Sequence, residues 1–232
     1  MYSKHNLVFE DARRLVDLAA DSIELVVTSP PYPMVEMWDT LFINQNPEIG
    51  CALKQGDHRR SFELMHRVLD EIWNRLPDVM SPGSFACINI GDATRTVKGS
   101  FQLFPNHARI LKKIMELGFD VLPAILWRKP TNVPNKFMGS GMLPAGAYVT
   151  LEHEYILIFR KGGIRRFSTD QEKQNRLASA LFWEERNSWY SDLWDFKGVK
   201  QGTDNLKLRE RSAAFPVLLS FLLPLNQILR FP

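Results

Sequence analysis

The sequence contains little cysteine and no long apolar segment, and these absences narrow the classes of protein that it can encode. Its two cysteines, Cys51 and Cys87, lie far apart without the spacing of metal ligands. The apolar segment at residues 217–231 is interrupted by Pro224 and is too short to span a bilayer. Residues 1–5 do not begin a signal peptide, and no repeat or low-complexity segment follows. The sequence therefore predicts a cytoplasmic protein with free thiols, no membrane segment and no metal site.

The composition is that of an ordinary globular protein. Of 232 residues, 45% are hydrophobic and 24% are charged, which suits one well-buried α/β domain. The chain is short for two such domains. A formal net charge of +3 permits a polyanionic partner without requiring one.

Apolar runs and amphipathic stretches alternate along the chain, as they do in proteins with helices packed on a parallel sheet. Strands are predicted at residues 7–9, 23–27, 85–90, 121–127 and 155–159, and helices at residues 12–19, 61–76 and 105–117. The segment 44–58 is predicted to be a surface loop because it is rich in Gly, Asp and Asn. The predicted fold class is α/β, a Rossmann-like, doubly wound and mostly parallel sheet. The last two strands are joined without an obvious helix, so we expect them to pair antiparallel at one edge.

Residues 28–32, Thr-Ser-Pro-Pro-Tyr, are the most informative part of the sequence. Two consecutive prolines end the strand before them, because proline cannot donate to a ladder and restricts the residue that precedes it. The result is a rigid turn at the carboxyl end of a strand, where open α/β sheets bind ligands. Its hydroxyl group, free carbonyl oxygens and aromatic ring can hold a planar base that bears an amino group. In a disordered tail the same segment would be a polyproline ligand, but the folded context disfavours that alternative.

Four stretches in a fixed order resemble the amino-methylating DNA methyltransferases whose catalytic segment precedes the cofactor segment. They are residues 21–32, residues 84–92, residues 118–130 with the ending Leu-Trp-Arg-Lys-Pro, and residues 152–161, Glu-His-Glu-Tyr-Ile-Leu-Ile-Phe-Arg-Lys. A fifth stretch, residues 211–216, is similar to the start of the segment that leads into the cofactor site of that family.

The resemblance implies catalytic roles for Ser29, Pro30, Pro31 and Tyr32. In such enzymes the target base is flipped out of the duplex and stacked on an aromatic ring, here Tyr32. The Pro30 carbonyl and the Ser29 hydroxyl would accept the two amino hydrogens, and Pro31 would hold the turn in shape. S-adenosylmethionine would supply the methyl group, without a metal or a covalent nucleophile. Serine at position 29 favours N4 of cytosine, because the adenine enzymes of the family more often carry aspartate there.

The resemblance also implies roles for residues outside the turn. Asp11, Phe215 and Pro216 are expected to contact the cofactor, with a helix N-cap as the alternative for Asp11. Trp38 and Asp39 are expected to line the base pocket, with exposed loop positions as the alternative.

Residues 160–211 are basic and aromatic, a composition that suits phosphate neutralisation and base stacking. By resemblance they form a target-recognition region between a catalytic core at residues 1–159 and the start of a cofactor segment at residues 212–232. A solvated face over a small tryptophan-rich core is the alternative. The residues expected to bind double-stranded DNA are Arg160, Lys161, Arg165 and Arg166.

Two further patterns are interpreted as structural. Residues 137–141 spell the Phe-x-Gly-x-Gly loop that binds S-adenosylmethionine in this family, but no strand–helix context surrounds them. We interpret them as a loop near the DNA. Residues 152–154, Glu-His-Glu, are similar to a metal or deaminase motif but lack a Pro-Cys-x-x-Cys partner. A strand-entry segment explains them better.

In the family a glycine loop follows the segment at residues 215–216, and this chain continues instead with residues 217–224. Three interpretations stay open: half of a split enzyme completed by a second polypeptide, a truncated product without activity, or cofactor binding by another route. The predicted function is a site-specific DNA methyltransferase of a restriction–modification system, with N4 of cytosine favoured. A non-catalytic DNA-binding subunit is the alternative.

Overall fold

The computed structural model of the chain describes residues 8, 11–13, 18–128, 138–139 and 143–195. The strands found there are β1 Ile23–Thr28, β2 Met80–Ile90, β3 Ala93–Val97, β4 Ser100–Phe104, β5 Phe119–Arg128, β6 Met138–Gly139, β7 Ala147–Tyr148, β8 His153–Lys161 and β9 Leu193–Asp195. The helices are α1 Asp39–Gln45, α2 Pro47–Gln55, α3 His58–Trp73, α4 Leu76–Val79, α5 Asn106–Glu116, α6 Asp170–Ala178 and α7 Trp183–Trp189, with a short 3-10 helix at Glu36–Trp38.

Five of the described strands form one mixed sheet in the order β1-β2-β8-β5-β9. β1 runs parallel to β2 and β5 runs parallel to β9, whereas β8 runs antiparallel to both of its neighbours. Four of these five strands therefore point the same way, which confirms the predicted α/β fold with a mostly parallel sheet. The expected antiparallel pairing of the last two predicted strands is the pairing of β5 with β8. In the described sheet β8 lies between β2 and β5, and β9 lies outside β5.

The direction of β8 decides which residues meet at each end of the sheet. We call the side where β1, β2 and β5 end the carboxyl end, and the opposite side the amino end. β8 begins at the carboxyl end, because Tyr155 pairs with Ile90, and it finishes at the amino end, where Arg160 pairs with Phe85. The residues that follow β1 and β2 are therefore neighbours of the first residues of β8.

Helices α3 and α5 pack on one face of the sheet and confirm the amphipathic helices predicted at residues 61–76 and 105–117. α3 buries Met65, Leu69 and Trp73, which are spaced by four residues and so lie on one side of the helix. They belong to one continuous core with Ile88 and Phe159 of the sheet. Burying each such side chain contributes about 2 to 3 kcal/mol. A smaller cluster of the described residues comprises Cys87, Ile125, Trp127, Ile156 and Trp194.

Most of the segment 44–58 is helical, so the prediction of a surface loop was wrong. The Asn46 side chain caps α2 by accepting a backbone N–H at 3.0 Å, and Gly56 ends the helix with a φ of +75°. Ile49 of α2 is fully buried. Asn46 and Gly56, two of the residues that suggest a loop, therefore mark the two ends of a short helix instead.

The beginning of the chain is described only in part. The predicted strand at residues 7–9 and helix at residues 12–19 fall largely outside the described residues, and Ala12 and Arg13 form a turn. In the described ranges, no helix combines the length and apolar character needed to cross a bilayer. Both cysteines are free thiols, as predicted, and burial raises the pKa of the Cys87 thiol to about 12.

Candidate active site

The Ser-Pro-Pro-Tyr turn lies at the carboxyl end of the sheet. β1 ends at Thr28, and the turn brings the half-buried Tyr32 toward the last residues of β2 and the first residues of β8. The carbonyl of Tyr32 accepts a hydrogen bond from the backbone N–H of Val35 at 3.2 Å, which starts the next turn. The two prolines and this hydrogen bond fix the position of the Tyr32 ring near the carboxyl end of the sheet.

A closed ring of hydrogen bonds surrounds the hydroxyl group of Tyr32. The hydroxyl donates to Glu154 Oε2 at 2.9 Å. The side-chain amide of Asn89 donates to the Tyr32 hydroxyl and to Glu154 Oε2, both at 2.8 Å. Ser29 Oγ lies 3.3 Å from the same hydroxyl. The turn is therefore joined to β2 through Asn89 and to β8 through Glu154.

Gly91 allows the Tyr32 ring to approach the backbone that follows β2. A Cβ atom at this position would lie 3.0 Å from Tyr32 Cε2 and 3.3 Å from Glu154 Cγ. Both separations are tighter than ordinary van der Waals contact, so a side chain here would displace the ring or the carboxylate. The tyrosine is thus held by hydrogen bonds at its hydroxyl and by contact at its ring edge.

The surroundings of Tyr32 keep its hydroxyl protonated. Burial raises the pKa of Tyr32 far above its ordinary value, and the negative charge of Glu154 raises it further. A neutral phenol can donate its single proton to the carboxylate of Glu154.

A second, fully buried pair fixes the backbone on both sides of the site. The Asn106 amide donates to the carbonyls of Pro33, at 3.1 Å, and Gly91, at 3.0 Å. Its Oδ1 must therefore accept, and His66 Nε2 lies 3.0 Å from it, so His66 carries its proton on Nε2. Burial lowers the pKa of His66 to about 3, so the imidazole is neutral at physiological pH. The pair ties the end of the turn to the end of β2.

Asp92, which follows Gly91, serves the start of a helix. Its carboxylate accepts from the backbone N–H of His107 at 3.1 Å and contacts the imidazole Nδ1 at 2.8 Å. The His107 ring in turn stacks on Tyr155 of β8 with 4.0 Å between centroids. Asp92 therefore stabilises the first turn of α5 at the carboxyl end of the sheet.

The two residues expected in the base pocket lie just beyond the turn, and both are engaged. Asp39 binds the guanidinium of Arg95 through both carboxylate oxygens, at 2.9 and 2.7 Å. This bond raises the pKa of Arg95 above its ordinary value. Trp38 is half-buried and packs against the main core. Arg95 thus ties the start of α1 to the β3–β4 hairpin.

The residues expected to contact the cofactor are mostly outside the described ranges. Phe215 and Pro216 lie outside them. The carboxylate of Asp11 accepts from the backbone N–H of Arg13 at 3.0 Å and from its Nε at 2.9 Å, the local contact of a turn. The described residues at the carboxyl end of the sheet supply an aromatic ring and oxygen atoms that accept hydrogen bonds. These groups fit a planar base with an amino group, the kind of molecule that would receive the methyl group.

The basic residues expected to bind DNA lie at the amino end, away from Tyr32. Arg160 lies six positions after Glu154 in β8, a distance of about 20 Å along a strand. Arg160 donates to Asp120 at 2.7 Å, and Lys161 donates to Asp21 at 2.8 Å and to two backbone carbonyls.

Arg165 and Arg166 lie at the same end of the sheet. Arg165 forms an ion pair with Glu24 at 3.0 Å, whereas Arg166 is exposed. Together they line an open cleft of about 620 Å³ beside Pro82 and Gly83. The structure therefore does not bring these four basic residues together with the turn.

The two patterns interpreted as structural are described to different extents. His153 and Glu154 begin β8, which confirms the strand-entry interpretation of residues 152–154. No cluster of His, Cys, Asp and Glu within the described ranges could hold a metal ion. Of residues 137–141, the described pair Met138–Gly139 forms a short strand with Ala147–Tyr148.

The comparison with known families decides the class of this protein. A model of the N6/N4 methyltransferases, described as DNA methylase, matches residues 23–222. This chain belongs to the N6/N4 DNA methylase family. The chain is 51% identical over 223 residues to type II methyltransferase M.MthZI of Methanothermobacter thermautotrophicus, covering 95% of this chain and 63% of that protein. It is 46% identical over 225 residues to type II methyltransferase M.MjaI of Methanocaldococcus jannaschii, covering 92% of this chain and 73% of that protein.

A solved structure shows the same fold. A candidate DNA modification methylase of Thermus thermophilus, complexed with S-adenosyl-L-methionine, has a TM-score of 0.60 and 31% identity to this chain. The alignment covers 80% of this chain and 66% of that one. The family depends on S-adenosylmethionine, as the resemblance predicts. The chain spans 63% of the length of the Methanothermobacter relative, and the comparisons give no support for a second polypeptide.

Sequence analysis missed four residues that shape the site: Asn89, Gly91, Asn106 and Glu154. Asn89 carries a weak signal, because it is a polar residue inside an apolar strand. Glu154 lies in the Glu-His-Glu-Tyr stretch that resembles the family, but its partner Tyr32 is 122 residues away. Such long-range contacts have no local signature in a sequence.

Proposed function

We propose that this methylase transfers a methyl group from S-adenosylmethionine to the exocyclic amino group of a flipped base in double-stranded DNA, with N4 of cytosine favoured. The observation that carries the proposal is the Ser-Pro-Pro-Tyr turn at the carboxyl end of the sheet, with the Tyr32 ring held in place. Family membership and the names of the two type II relatives support it. A role in a restriction–modification system in the cytoplasm is part of the same proposal.

The residues of the turn have complementary tasks. An exocyclic amino group is a poor nucleophile because its lone pair is delocalised into the ring of the base. Acceptors for both of its hydrogens, Ser29 Oγ and the Pro30 carbonyl, favour a pyramidal nitrogen with an available lone pair. Stacking on Tyr32 compensates part of the cost of flipping, at about 1 to 3 kcal/mol for a base on an aromatic ring. S-adenosylmethionine supplies a methyl group that its sulfonium charge activates.

The other predicted sites are proposed with the roles that their contacts favour. Trp38 is proposed to line the base pocket, and Asp39 to position that wall through Arg95. Arg166 is proposed to contact DNA phosphates at a distance from the flipped base. The ion pairs of Arg160, Lys161 and Arg165 favour a structural task for these three residues, and their binding to DNA stays a prediction.

The proposal is tested by measuring methyl transfer and identifying the product. The protein is incubated with duplex DNA and S-adenosylmethionine labelled in the methyl group, and the DNA is digested to nucleosides for mass spectrometry. We expect N4-methylcytosine. We expect Tyr32→Ala to lower the transfer rate by at least about 100-fold, because stacking and alignment are both lost.

Met115→Ala is the control, since Met115 lies in α5, outside the predicted target-recognition region, and its exposed fraction is 58%. Its transfer rate should stay within about twofold of the wild type. Labelled adenine would contradict the preference for cytosine alone. Unlabelled DNA with every sequence tested, or near-normal transfer by Tyr32→Ala, would contradict the proposed function.

A further inference from the structure

The direction of each hydrogen bond around Tyr32 can be deduced by counting donors. A carboxylate has no proton to give, so the hydrogen bonds that join Glu154 to Tyr32 and to Asn89 must be donated to it. The Tyr32 hydroxyl therefore donates its single proton to Glu154. The Asn89 amide donates its two protons to Tyr32 and Glu154.

The orientation of the Asn89 amide agrees with this count. Among the described residues, Asn89 Oδ1 is buried without a hydrogen-bond partner. Rotating the amide to place this oxygen in the ring would set it 2.8 Å from the carboxylate of Glu154, where two acceptors repel. Glu154 therefore fixes the Asn89 amide as a donor in this ring of hydrogen bonds. In this orientation Asn89 Oδ1 lacks a partner among the described residues.

The consequence reaches Ser29. Its Oγ lies 3.3 Å from a tyrosine oxygen that has no proton left to give, so Ser29 must be the donor in that contact. The proton of the Ser29 hydroxyl then points toward Tyr32, and the lone pairs of its oxygen point elsewhere. A serine in this state can accept a hydrogen from the amino group of a base and cannot donate one to it.

We infer that Glu154, supported by Asn89, is a positioning residue for methyl transfer: it holds the Tyr32 ring by its hydroxyl and makes Ser29 an acceptor toward the target amino group. The inference rests on the proposed function. It also explains why a carboxylate occupies this position. The amide of a glutamine could rotate, donate to Tyr32 and reverse the direction of the whole chain of bonds.

The test uses the full-length protein and single-turnover methyl transfer at saturating DNA, with DNA affinity measured separately. Glu154→Gln keeps the shape of the side chain and removes its charge, and Tyr32→Phe keeps the ring and removes the hydroxyl. We expect each substitution to lower the single-turnover rate by about 10-fold, with DNA affinity within about threefold of the wild type.

The double variant is the decisive measurement, because Glu154 is joined to the turn through the Tyr32 hydroxyl and through Asn89, which itself donates to that hydroxyl. In the Tyr32→Phe background, Glu154→Gln should lower the rate by less than about threefold. Glu152→Gln is the control: this neighbouring carboxylate contacts Arg128 at 3.5 Å, and its loss should change the rate by less than about twofold.

The possible outcomes separate this inference from the proposed function. Rates within twofold of the wild type for both single variants would overturn the inference while methyl transfer itself stands. Independent, multiplicative losses in the double variant would also overturn it. A wild-type protein that methylates no DNA would overturn the proposed function. Tyr32→Phe removes a single oxygen atom, so it keeps the test valid if Glu154→Gln fails to fold.

Discussion

The basic residues at the amino end of the sheet and the Tyr32 site at the carboxyl end are held by different kinds of contact. At the amino end, Arg160, Lys161 and Arg165 each form an ion pair with a carboxylate, those of Asp120, Asp21 and Glu24. At the carboxyl end, the contacts that fix Tyr32 are hydrogen bonds that the Tyr32 phenol and the Asn89 amide donate to Glu154.

This difference supports the proposed placement of the reaction at the carboxyl end. The ion pairs at the amino end occupy basic groups that could otherwise bind an anion. The hydrogen bonds donated to Glu154 orient the Tyr32 hydroxyl and the Asn89 amide. We therefore expect substitutions around Tyr32 to change methyl transfer, and substitutions at the amino end to change stability or DNA affinity.

The largest effect is expected from acid at the carboxyl end, through the neutral His66 that supports Asn106. The pKa of His66 is about 3 in the folded protein and about 6.5 in the unfolded chain, so the unfolded state binds more protons between these values. The contribution of His66 to the free energy of unfolding is present in full above pH 6.5 and is lost as the pH falls below that value. At pH 4.5 the loss from this group is about 2 to 3 kcal/mol.

The measurement is the free energy of unfolding by urea at several pH values, for the wild type and for His66→Gln. Glutamine can keep the donor to Asn106 and does not titrate, so the variant should show a flatter dependence between pH 7 and pH 4.5. Parallel curves for the two proteins would show that His66 does not govern this range.

The next effect compares two glycines, one at each end of the sheet. Gly91→Ala places a Cβ atom 3.0 Å from the Tyr32 ring, whereas Gly163→Ala at the amino end meets nothing within 4 Å. We expect Gly91→Ala to lower methyl transfer by about 10-fold, because small misplacements of a catalytic group are costly. Gly163→Ala should leave the rate unchanged. Equal rates of methyl transfer for Gly91→Ala and Gly163→Ala would contradict the proposal that the reaction takes place at the carboxyl end.

How far the sequence predicts this molecule is best seen in the turn and in segment 44–58. The turn is local: an apolar strand, two prolines and an aromatic residue are adjacent in the chain, so the place of Tyr32 in the fold follows from them. In segment 44–58 the same local reasoning gave the wrong result, because Asn46 and Gly56 occur both in loops and at helix ends. The burial of Ile49 against the core decides between these possibilities, and burial is set by the rest of the chain.

The supporting residues of the site could not be predicted for a related reason. Glu154 reaches Tyr32 because β8 runs antiparallel between β2 and β5, whereas the antiparallel pair was predicted at one edge of the sheet. The DNA contacts of Arg160 and Lys161 were predicted from composition and from the family resemblance. Their distance from Tyr32 depends on the direction of the same strand.

A smaller effect is expected from Lys161 at the amino end. Lys161→Met removes the contact with Asp21 and the donors to the carbonyls of Pro77 and Met80. We expect a loss of about 1 kcal/mol in the free energy of unfolding, since two carbonyls lose a partner at a half-buried position. Methyl transfer at saturating DNA should stay within about twofold of the wild type. A large fall in the transfer rate with unchanged stability would place Lys161 in the functional machinery.

The smallest effect is expected from Arg166, which is exposed at the open cleft of the amino end. If it contacts a phosphate, Arg166→Gln should weaken DNA binding by less than about threefold at moderate salt and reduce the salt slope of the binding constant by about one. The single-turnover rate at saturating DNA should not change, because the residue lies far from Tyr32.

The measurement is a salt titration of DNA affinity, with Arg75→Gln as control, since Arg75 lies in the turn before α4 and contacts Asp78. Identical slopes for the two variants and the wild type would mean that the amino end stabilises the sheet and does not touch DNA. A reduced slope for Arg166→Gln alone would mean that the same end does both.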